Sequence, residues 1–248
     1  MKEHLLNPPA KASINRRQFL GRSSVVAATG LVGLSLGASL TFADALTKAQ
    51  RDSMTPDDII AMMKRGNERF RSGARADRNF LREQQASAAG QFPAAAILSC
   101  IDSRAPAEIV MDLGIGDVFN SRVAGNISND DILGSLEFAC AVAGAKVALV
   151  MGHTACGAIK GAIDNVHLGN LTGLLAKIRP AVAATQFTGE RTAKNYAFVD
   201  AVARKNVELT LAEIRAKSSV LRDVEAKGKL KLVGAMYDLE TAVVDFFG

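Results

Sequence analysis

The sequence predicts an α/β fold in which a mostly parallel sheet is flanked by helices. Short apolar runs typical of buried strands alternate along the chain with longer segments of helical periodicity, as parallel strands and their crossover connections require. Of the 248 residues, 48% are hydrophobic and 22% are charged, which is enough apolar material for one well-buried domain. We therefore expect about four strands and a short edge strand in a single domain, residues 46–248.

Apolar periodicity and capping residues predict the individual elements. The first helix, 57–72, follows Thr55 as its cap and Pro56 at its first position, and Ile59, Met63 and Phe70 share one apolar face. The polar segment 71–91 is expected to wrap over a neighbour rather than to form core. The other predicted elements are strand 94–99, helix 106–111, strand 117–121, helix 130–143, strand 146–151, helix 156–163, helices 171–184 and 192–217, strand 230–236 and a short apolar segment, 242–247.

Residues 1–45 have the features of a removable leader. Arg16 and Arg17 form a twin-arginine signature, and an uncharged stretch and the small-x-small pattern at 43–45 follow. A permanent anchor is the alternative, but the apolar part, 25–40, has 16 residues with three glycines. A spanning helix needs about 20 residues. We expect a cleaved signal peptide, no stable membrane anchor, and delivery of the folded protein by the twin-arginine export machinery to a bacterial periplasm or beyond.

The charge of the chain argues against a nucleic-acid-binding protein. The full sequence carries 30 basic and 25 acidic residues, of which five and two lie in residues 1–45, so the predicted domain is close to neutral. Aromatic residues make up 5% of the chain and Trp is absent, which leaves little material for stacking on bases.

Two short motifs carry the chemistry of this sequence. Cys100 and Asp102 lie in C-I-D-S-R, which ends at Arg104, and His153 and Cys156 bound H-T-A-C. Two thiols and an imidazole suit zinc, and each motif follows a predicted strand, so both can meet at one edge of a parallel sheet. Three protein ligands with a place for water make a catalytic zinc site, and four protein ligands make a structural one. Whether Asp102 takes the fourth place therefore decides between the two kinds of site.

The three cysteines allow other interpretations. A disulfide between Cys100 and Cys156 is the alternative in an oxidising compartment, although it would leave His153 and Asp102 without a shared purpose. Cys140 lies in an apolar helical pattern and is expected to be a small core residue.

The two motifs together resemble the zinc site of the β-class carbonic anhydrases, from about residue 57 to residue 247. The flanking sequences that share this resemblance are Gln91-Phe92-Pro93, Pro106-Ala107-Glu108, Arg122-Val123-Ala124-Gly125-Asn126, Gly157-Ala158-Ile159-Lys160-Gly161 and Gly234-Ala235-Met236-Tyr237-Asp238. Two ligand motifs in order, each after a strand and with matching flanks, are a strong signal.

The resemblance implies a carbonate dehydratase, a zinc lyase that converts carbon dioxide to bicarbonate and a proton by attack of zinc-bound hydroxide. It implies one Zn²⁺ per chain, held by Cys100, His153 and Cys156. Asp102 and Arg104 form the catalytic dyad in an open state, whereas in a closed state Asp102 is the fourth ligand. A simple helix cap or turn-stabilising pair is the alternative role for Asp102 and Arg104.

The resemblance also implies substrate contacts and an assembly. Gln91 would donate a hydrogen bond to substrate oxygen across a subunit interface, and Gly157 would line the substrate site, in a homodimer or a higher multiple. The alternative is that Gln91 is a solvent-exposed loop residue without a role in substrate binding. Two other functions stay open: hydrolysis of carbonyl sulfide or carbon disulfide on the same scaffold, and a zinc or anion-binding module without turnover.

Overall fold

The centre of the computed structural model, which describes residues 45–248, is a five-stranded sheet. Its strands are β1 (Ala95–Ser99), β2 (Val118–Arg122), β3 (Val147–His153), β4 (Lys231–Tyr237) and β5 (Val244–Phe247). Their order is β2-β1-β3-β4-β5, with β1 to β4 parallel to their neighbours and β5 antiparallel to β4. The predicted fold class, a mostly parallel sheet with a short edge strand, is confirmed.

Helices connect the strands. The described helices are α1 (Lys48–Ser53), α2 (Pro56–Ser72), α3 (Phe80–Ser87), α4 (Ala107–Val110), α5 (Asp130–Glu137), α6 (Gly157–Ile163), α7 (Gly169–Ala184), α8 (Tyr196–Lys217) and α9 (Ser219–Ala226). The sequence predicts six of these and misses α1, α3 and α9, which have six to eight residues each. The predicted helix 130–143 changes character at Phe138, where a π-helical turn, Phe138–Val142, replaces the α-helical one.

The beginning of α2 shows why its prediction is confirmed. Thr55 accepts a hydrogen bond from the backbone N–H of Asp58 and Asp58 accepts one from the backbone N–H of Thr55, while Pro56 occupies the first helical position. Gly73 ends the helix in the left-handed conformation, with φ of 72°. Local hydrogen bonding therefore fixes both ends of this helix.

Two apolar clusters cover the two faces of the sheet. Along β1, Ala96 and Leu98 contribute to the cluster that includes α7 and α8 residues, whereas Ala95 and Ile97 contribute to the cluster that includes α2 residues. All residues of β1 and β3 are buried, as expected for central parallel strands covered on both faces. The sheet is thus a rigid platform whose carboxyl ends carry both sequence motifs.

The segment 71–91 is mostly exposed and lies outside the buried apolar core, as predicted, but it includes a helix that the sequence does not predict. It contains α3, and Glu83 on that helix is completely buried, with Arg78 Nη1 at 3.1 Å from its Oε1. Arg78 Nη2 also lies 3.5 Å from Oδ2 of the buried Asp117. A buried ionic cluster therefore attaches this polar segment to the domain, because carboxylates can be buried when a guanidinium is buried with them.

The predicted leader, residues 1–45, lies outside the described residues except for Ala45, and its cleavage and export stay predictions. Within residues 45–248, every helix is too short or too polar to cross a membrane.

Candidate metal centre

The two motifs meet at the carboxyl edge of the sheet. Cys100 directly follows β1, and His153 is the last residue of β3, the strand paired with β1. Cys156 comes after a short turn and caps the amino end of α6. The arrangement follows from parallel pairing, because neighbouring strands end at the same edge.

Three donor atoms converge there. The two thiol sulfurs and a ring nitrogen of His153 all lie within 4.8 Å of one another, and all three side chains are buried. The sulfur atoms of Cys100 and Cys156 are 4.0 Å apart, and both cysteines are free. Two thiolates held by a tetrahedral zinc at about 2.3 Å stand roughly 3.8 Å apart. The spacing therefore fits a zinc site and is far too long for a disulfide.

The ring of His153 is oriented for ligation. Nδ1 lies 2.9 Å from the carbonyl oxygen of Thr154, which fixes the proton on Nδ1 and leaves a lone pair on Nε2. Nε2 is buried and has no hydrogen-bond partner among the described residues. Buried polar atoms are rarely left without a partner, so this nitrogen fits a metal ligand.

The thiols of the cluster are polarised by their surroundings. Cys100 Sγ accepts a hydrogen bond from the backbone N–H of Gly125 at 3.3 Å. The contact with the Cys156 thiol, helped by this N–H, lowers the pKa of Cys100 to about 4, while the same contact and burial raise the pKa of Cys156. Zinc ligation requires both sulfurs as thiolates, so metal binding would release any proton that the pair still holds. Cys140, by contrast, is a core residue whose pKa is raised to about 12 by burial.

Asp102 is paired with Arg104 beside this cluster. Oδ1 accepts from the backbone N–H and Nε of Arg104, both at 2.9 Å, and Oδ2 accepts from Nη2 at 2.8 Å. The side-chain bonds from Arg104 hold the pKa of Asp102 well below its usual range. Oδ2 lies 3.8 Å from Nε2 of His153, and Asp102 stays outside the group of three converging donors. In this geometry Asp102 is engaged by Arg104 and is not one of the three converging donors.

Arg122 braces the same loop from β2. Its Nε donates to the carbonyl oxygen of Cys100 at 2.9 Å, and its Nη2 donates to that of Asp102 at 2.6 Å. Sequence reasoning placed Arg122 in a flanking motif and did not predict these contacts with the Cys100 loop. The signal available was its position at the carboxyl end of β2, next to the strand that leads into Cys100.

A carbonic anhydrase family model matches residues 95–244. Carbonic anhydrase 2 of Mycobacterium tuberculosis is 36% identical over 180 residues, covering 72% of this chain and 86% of the relative. The chain is a member of the β-carbonic anhydrase family. The carbonic anhydrase of Pseudomonas aeruginosa is 33% identical over 162 residues, covering 62% of this chain and 73% of that protein.

Solved β-carbonic anhydrase structures share the fold. A protein of Aspergillus fumigatus matches with 30% identity and a TM-score of 0.59, covering 66% of this chain and 79% of that one. A protein of Sordaria macrospora, from a study of two tetrameric β-carbonic anhydrases, matches with 25% identity and a TM-score of 0.58. The match covers 65% of this chain and 83% of that one. The family resemblance inferred from the motifs is confirmed.

The two substrate residues implied by the family lie in different places. Gly157 is the exposed first residue of α6, next to Cys156. Gln91 is exposed before β1, whereas Cys100 follows that strand, so the length of the strand, about 16 Å, separates them. Within one chain, the fold brings Gly157 to the cluster and leaves Gln91 at the opposite edge.

A cavity of about 430 Å³ opens beside the dyad. Arg104 lines it on one side, and three carboxylate residues that sequence reasoning did not single out as site residues line it elsewhere: Asp200, Asp238 and Glu240. The cavity gives solvent and small solutes a path to the loop that carries His153 and Cys156.

Proposed function

We propose that this chain catalyses the reversible hydration of carbon dioxide to bicarbonate and a proton, with one zinc per chain. The observation that carries the proposal is the buried convergence of Cys100, His153 and Cys156, with Nε2 of His153 lacking any described partner. The family membership supplies the reaction class. In this role the chain is a carbonate dehydratase.

The residues at the site fit zinc, which when bound acidifies water and supplies a nucleophile near neutral pH. Cys100 and Cys156 contribute thiolates and His153 a neutral imidazole, the donor set that zinc prefers. Burial of all three side chains excludes bulk water from the sulfur atoms and keeps their geometry fixed.

Asp102 orients the attacking water in this proposal. Its Oδ1 already takes two donors from Arg104, whereas Oδ2 takes one and faces His153. Oδ2 therefore has a free lone pair on the side of the cluster. Because Arg104 keeps the carboxylate ionised, Asp102 remains an acceptor, and a water donating to Oδ2 has its oxygen lone pairs directed away from the carboxylate.

Purified protein tests the proposal directly. We expect about one zinc per chain by elemental analysis and rapid carbon dioxide hydration by stopped-flow pH measurement. Cys100→Ser and Cys156→Ser should lose zinc and turnover together. Cys140→Ser, the matched control at the third buried thiol, should keep both. A well-folded chain without zinc, or full zinc in either ligand variant, would contradict the assignment.

A multimer completes the site. β2 is an edge strand, and the ring of Phe138 lies 6.1 Å from that of Phe119 on this strand. Phe138 is 52% exposed and Val142, at the end of the same π-helical turn, is 74% exposed, which leaves apolar surface for a second copy. Since Gln91 lies at the opposite edge of its own sheet, its contact with substrate would have to come from a partner subunit. A homodimer or higher multiple should be seen by light scattering, and a fully active monomer would contradict it.

Export as a folded protein fits the leader. Arg16→Lys with Arg17→Lys should retain the protein in the cytoplasm, because twin-arginine transport depends on that pair. Arg22→Lys is the matched control and should leave export unchanged. Cell fractionation and the amino-terminal sequence of the exported form measure localisation and cleavage, and export of the double variant at the normal level would contradict the leader assignment.

A further inference from the structure

Ala155 occupies the turn between His153, at the end of β3, and Cys156, at the start of α6. Its backbone is left-handed, with φ of 54°. Residues with a Cβ rarely adopt this conformation, and they keep it only where surrounding contacts fix it. A strained residue therefore lies between two of the three proposed metal ligands.

Asp200 supplies the contact at this residue. Its Oδ1 accepts a hydrogen bond from the backbone N–H of Ala155 at 2.8 Å. Asp200 is half-buried near the beginning of α8, a helix of 22 residues that packs against β3. A carboxylate on a long packed helix is a rigid acceptor, so it fixes the direction of the N–H that it receives.

The neighbour of Ala155 is held from another part of the fold. The backbone N–H of Thr154 donates to the carbonyl oxygen of Tyr237 at 3.0 Å, and its Oγ1 accepts from the backbone N–H of Leu239 at 2.9 Å. These contacts come from the end of β4 and the residues after it. Thr154 and Ala155 are thus anchored independently, the first from the sheet and the second from α8.

We propose that Asp200 is a positioning residue that holds the left-handed turn, and through it the placement of Cys156 relative to His153 for a bound metal. Without the acceptor, Ala155 relaxes toward the right-handed or extended region. The peptide that enters Cys156 then rotates, and the thiol moves away from Nε2 of His153. The inference rests on the proposed function, because it concerns the same metal centre.

The role requires an acceptor and does not require a charge. Asp200→Asn keeps an oxygen that can accept from Ala155, whereas Asp200→Ala removes it. Ala155→Gly removes the strain, because glycine adopts positive φ without steric cost. Glu240→Gln is the matched control, since it removes a negative charge from the same cavity without touching the turn.

The experiment measures zinc dissociation constants of the full chain by competition with a chelator, together with the thiolate-to-metal charge-transfer band of the cobalt-substituted protein. Asp200→Ala should weaken zinc binding about 10- to 100-fold and shift the cobalt band. Asp200→Asn and Glu240→Gln should stay within about threefold of wild type, well below the roughly 10- to 100-fold loss that removal of a residue supporting a metal ligand causes. Asp200→Ala with Ala155→Gly should regain most of the lost affinity.

The outcomes separate this inference from the proposed function. Wild-type affinity in Asp200→Ala, equal losses in Asp200→Ala and Asp200→Asn, or no recovery in the double variant would each overturn the positioning role alone. A wild-type chain that binds no zinc would overturn both. Thermal unfolding of the metal-free variants identifies a folding defect. If Asp200→Ala does not fold, the zinc affinities of wild type, Ala155→Gly and Asp200→Asn test the positioning role instead. Ala155→Gly should then keep wild-type affinity, and a loss of affinity in Asp200→Asn overturns the proposal.

Discussion

Asn206 donates its side-chain amide to the carbonyl oxygen of Gly125 over 2.8 Å, and both residues are buried. The N–H of the same glycine donates to Sγ of Cys100. A side chain of α8 is therefore linked to a proposed metal ligand through one residue. N–H donors to a ligating sulfur stabilise its thiolate, so these two hydrogen bonds would let Asn206 support a bound metal without touching it.

Gly125 should be intolerant of a side chain. Its φ is 69°, and a Cβ there would lie 2.5 Å from Cδ1 of Ile178. Gly125→Ala is therefore expected to lower the free energy of unfolding by more than about 1 kcal/mol, the ordinary cost of positive φ for alanine, because the clash adds to it. The turn and its N–H to Cys100 should shift as well. Urea unfolding and zinc affinity measure the two effects.

Gly134→Ala is the matched control for this prediction. Gly134 lies within α5, and a Cβ there would meet nothing within 4 Å. Alanine at this position should stabilise the protein by up to about 1 kcal/mol, because it favours the helix. Equal effects of the two substitutions would contradict the strain argument.

The convergence of the three ligands could be predicted from the sequence, but the residues of α8 that hold the ligand loops could not. Cys100 and His153 each end a buried apolar run, and parallel strands end at one edge, so their proximity follows from the sequence. Asp200 and Asn206 lie in a helix, where sequence shows only periodicity. Their partners are backbone groups, which carry no sequence signal.

Buried polar residues on α8 are the available clue to these supports. Asn206 is 3% exposed and Thr210 is 4% exposed, and both are buried together with the apolar residues of the same helix. Polar side chains at those spacings on an apolar face require partners. The same reasoning applies to α3, which was missed because Glu83 is hydrophilic in sequence and buried in the fold with Arg78.

The pairing of Asp102 with Arg104 predicts separate effects on metal and turnover. Asp102→Asn should retain most zinc, because three ligands remain, yet reduce turnover at least about 100-fold by removing the acceptor that orients water. Arg104→Ala should also reduce turnover, since it frees the carboxylate to approach the metal. Zinc content and stopped-flow hydration distinguish the two properties. Turnover close to wild type in both variants would rule out the dyad.

Asp112 predicts how stability depends on pH. Its carboxylate is completely buried and accepts from Arg69 at 2.6 Å, from Arg75 at 3.3 Å and from the N–H of Ala76 at 3.0 Å. Burial acts to raise the pKa of Asp112, but these donors outweigh it and hold that pKa below its usual value. Asp112 therefore stabilises the fold fully above roughly pH 5, and this contribution is lost as the pH falls through the folded-state pKa.

Asp112→Asn should lower the free energy of unfolding at pH 7 by about 1–3 kcal/mol, because a buried charge-assisted network loses its charge. The difference from wild type should begin to narrow below about pH 4, because the unfolded wild-type chain then takes up a proton at this position, and it should vanish below the folded-state pKa of Asp112. Asp223→Asn, at an exposed site on α9, is the control and should change little. Urea unfolding at pH 7, 5, 4 and 3 measures the effect, and a constant difference across these values would contradict it.

The proposed role of Gln91 across a subunit interface can be tested by complementation. A Gln91→Ala chain and a Cys100→Ser chain should each have low activity, the first without the substrate contact and the second without metal. In a mixed multimer, the Gln91→Ala chain keeps its own metal site and receives the intact Gln91 of a Cys100→Ser partner. Co-expression with two affinity tags isolates this species.

Activity of the mixed multimer should exceed the sum of the two parent variants, because each functional site combines residues from both chains. If Gln91 acts within its own chain, every intact metal site still lacks it and no gain appears. If Gln91 has no part in the reaction, Gln91→Ala alone keeps full activity. The position of Gln91 at the amino end of β1, opposite Cys100, favours the first result.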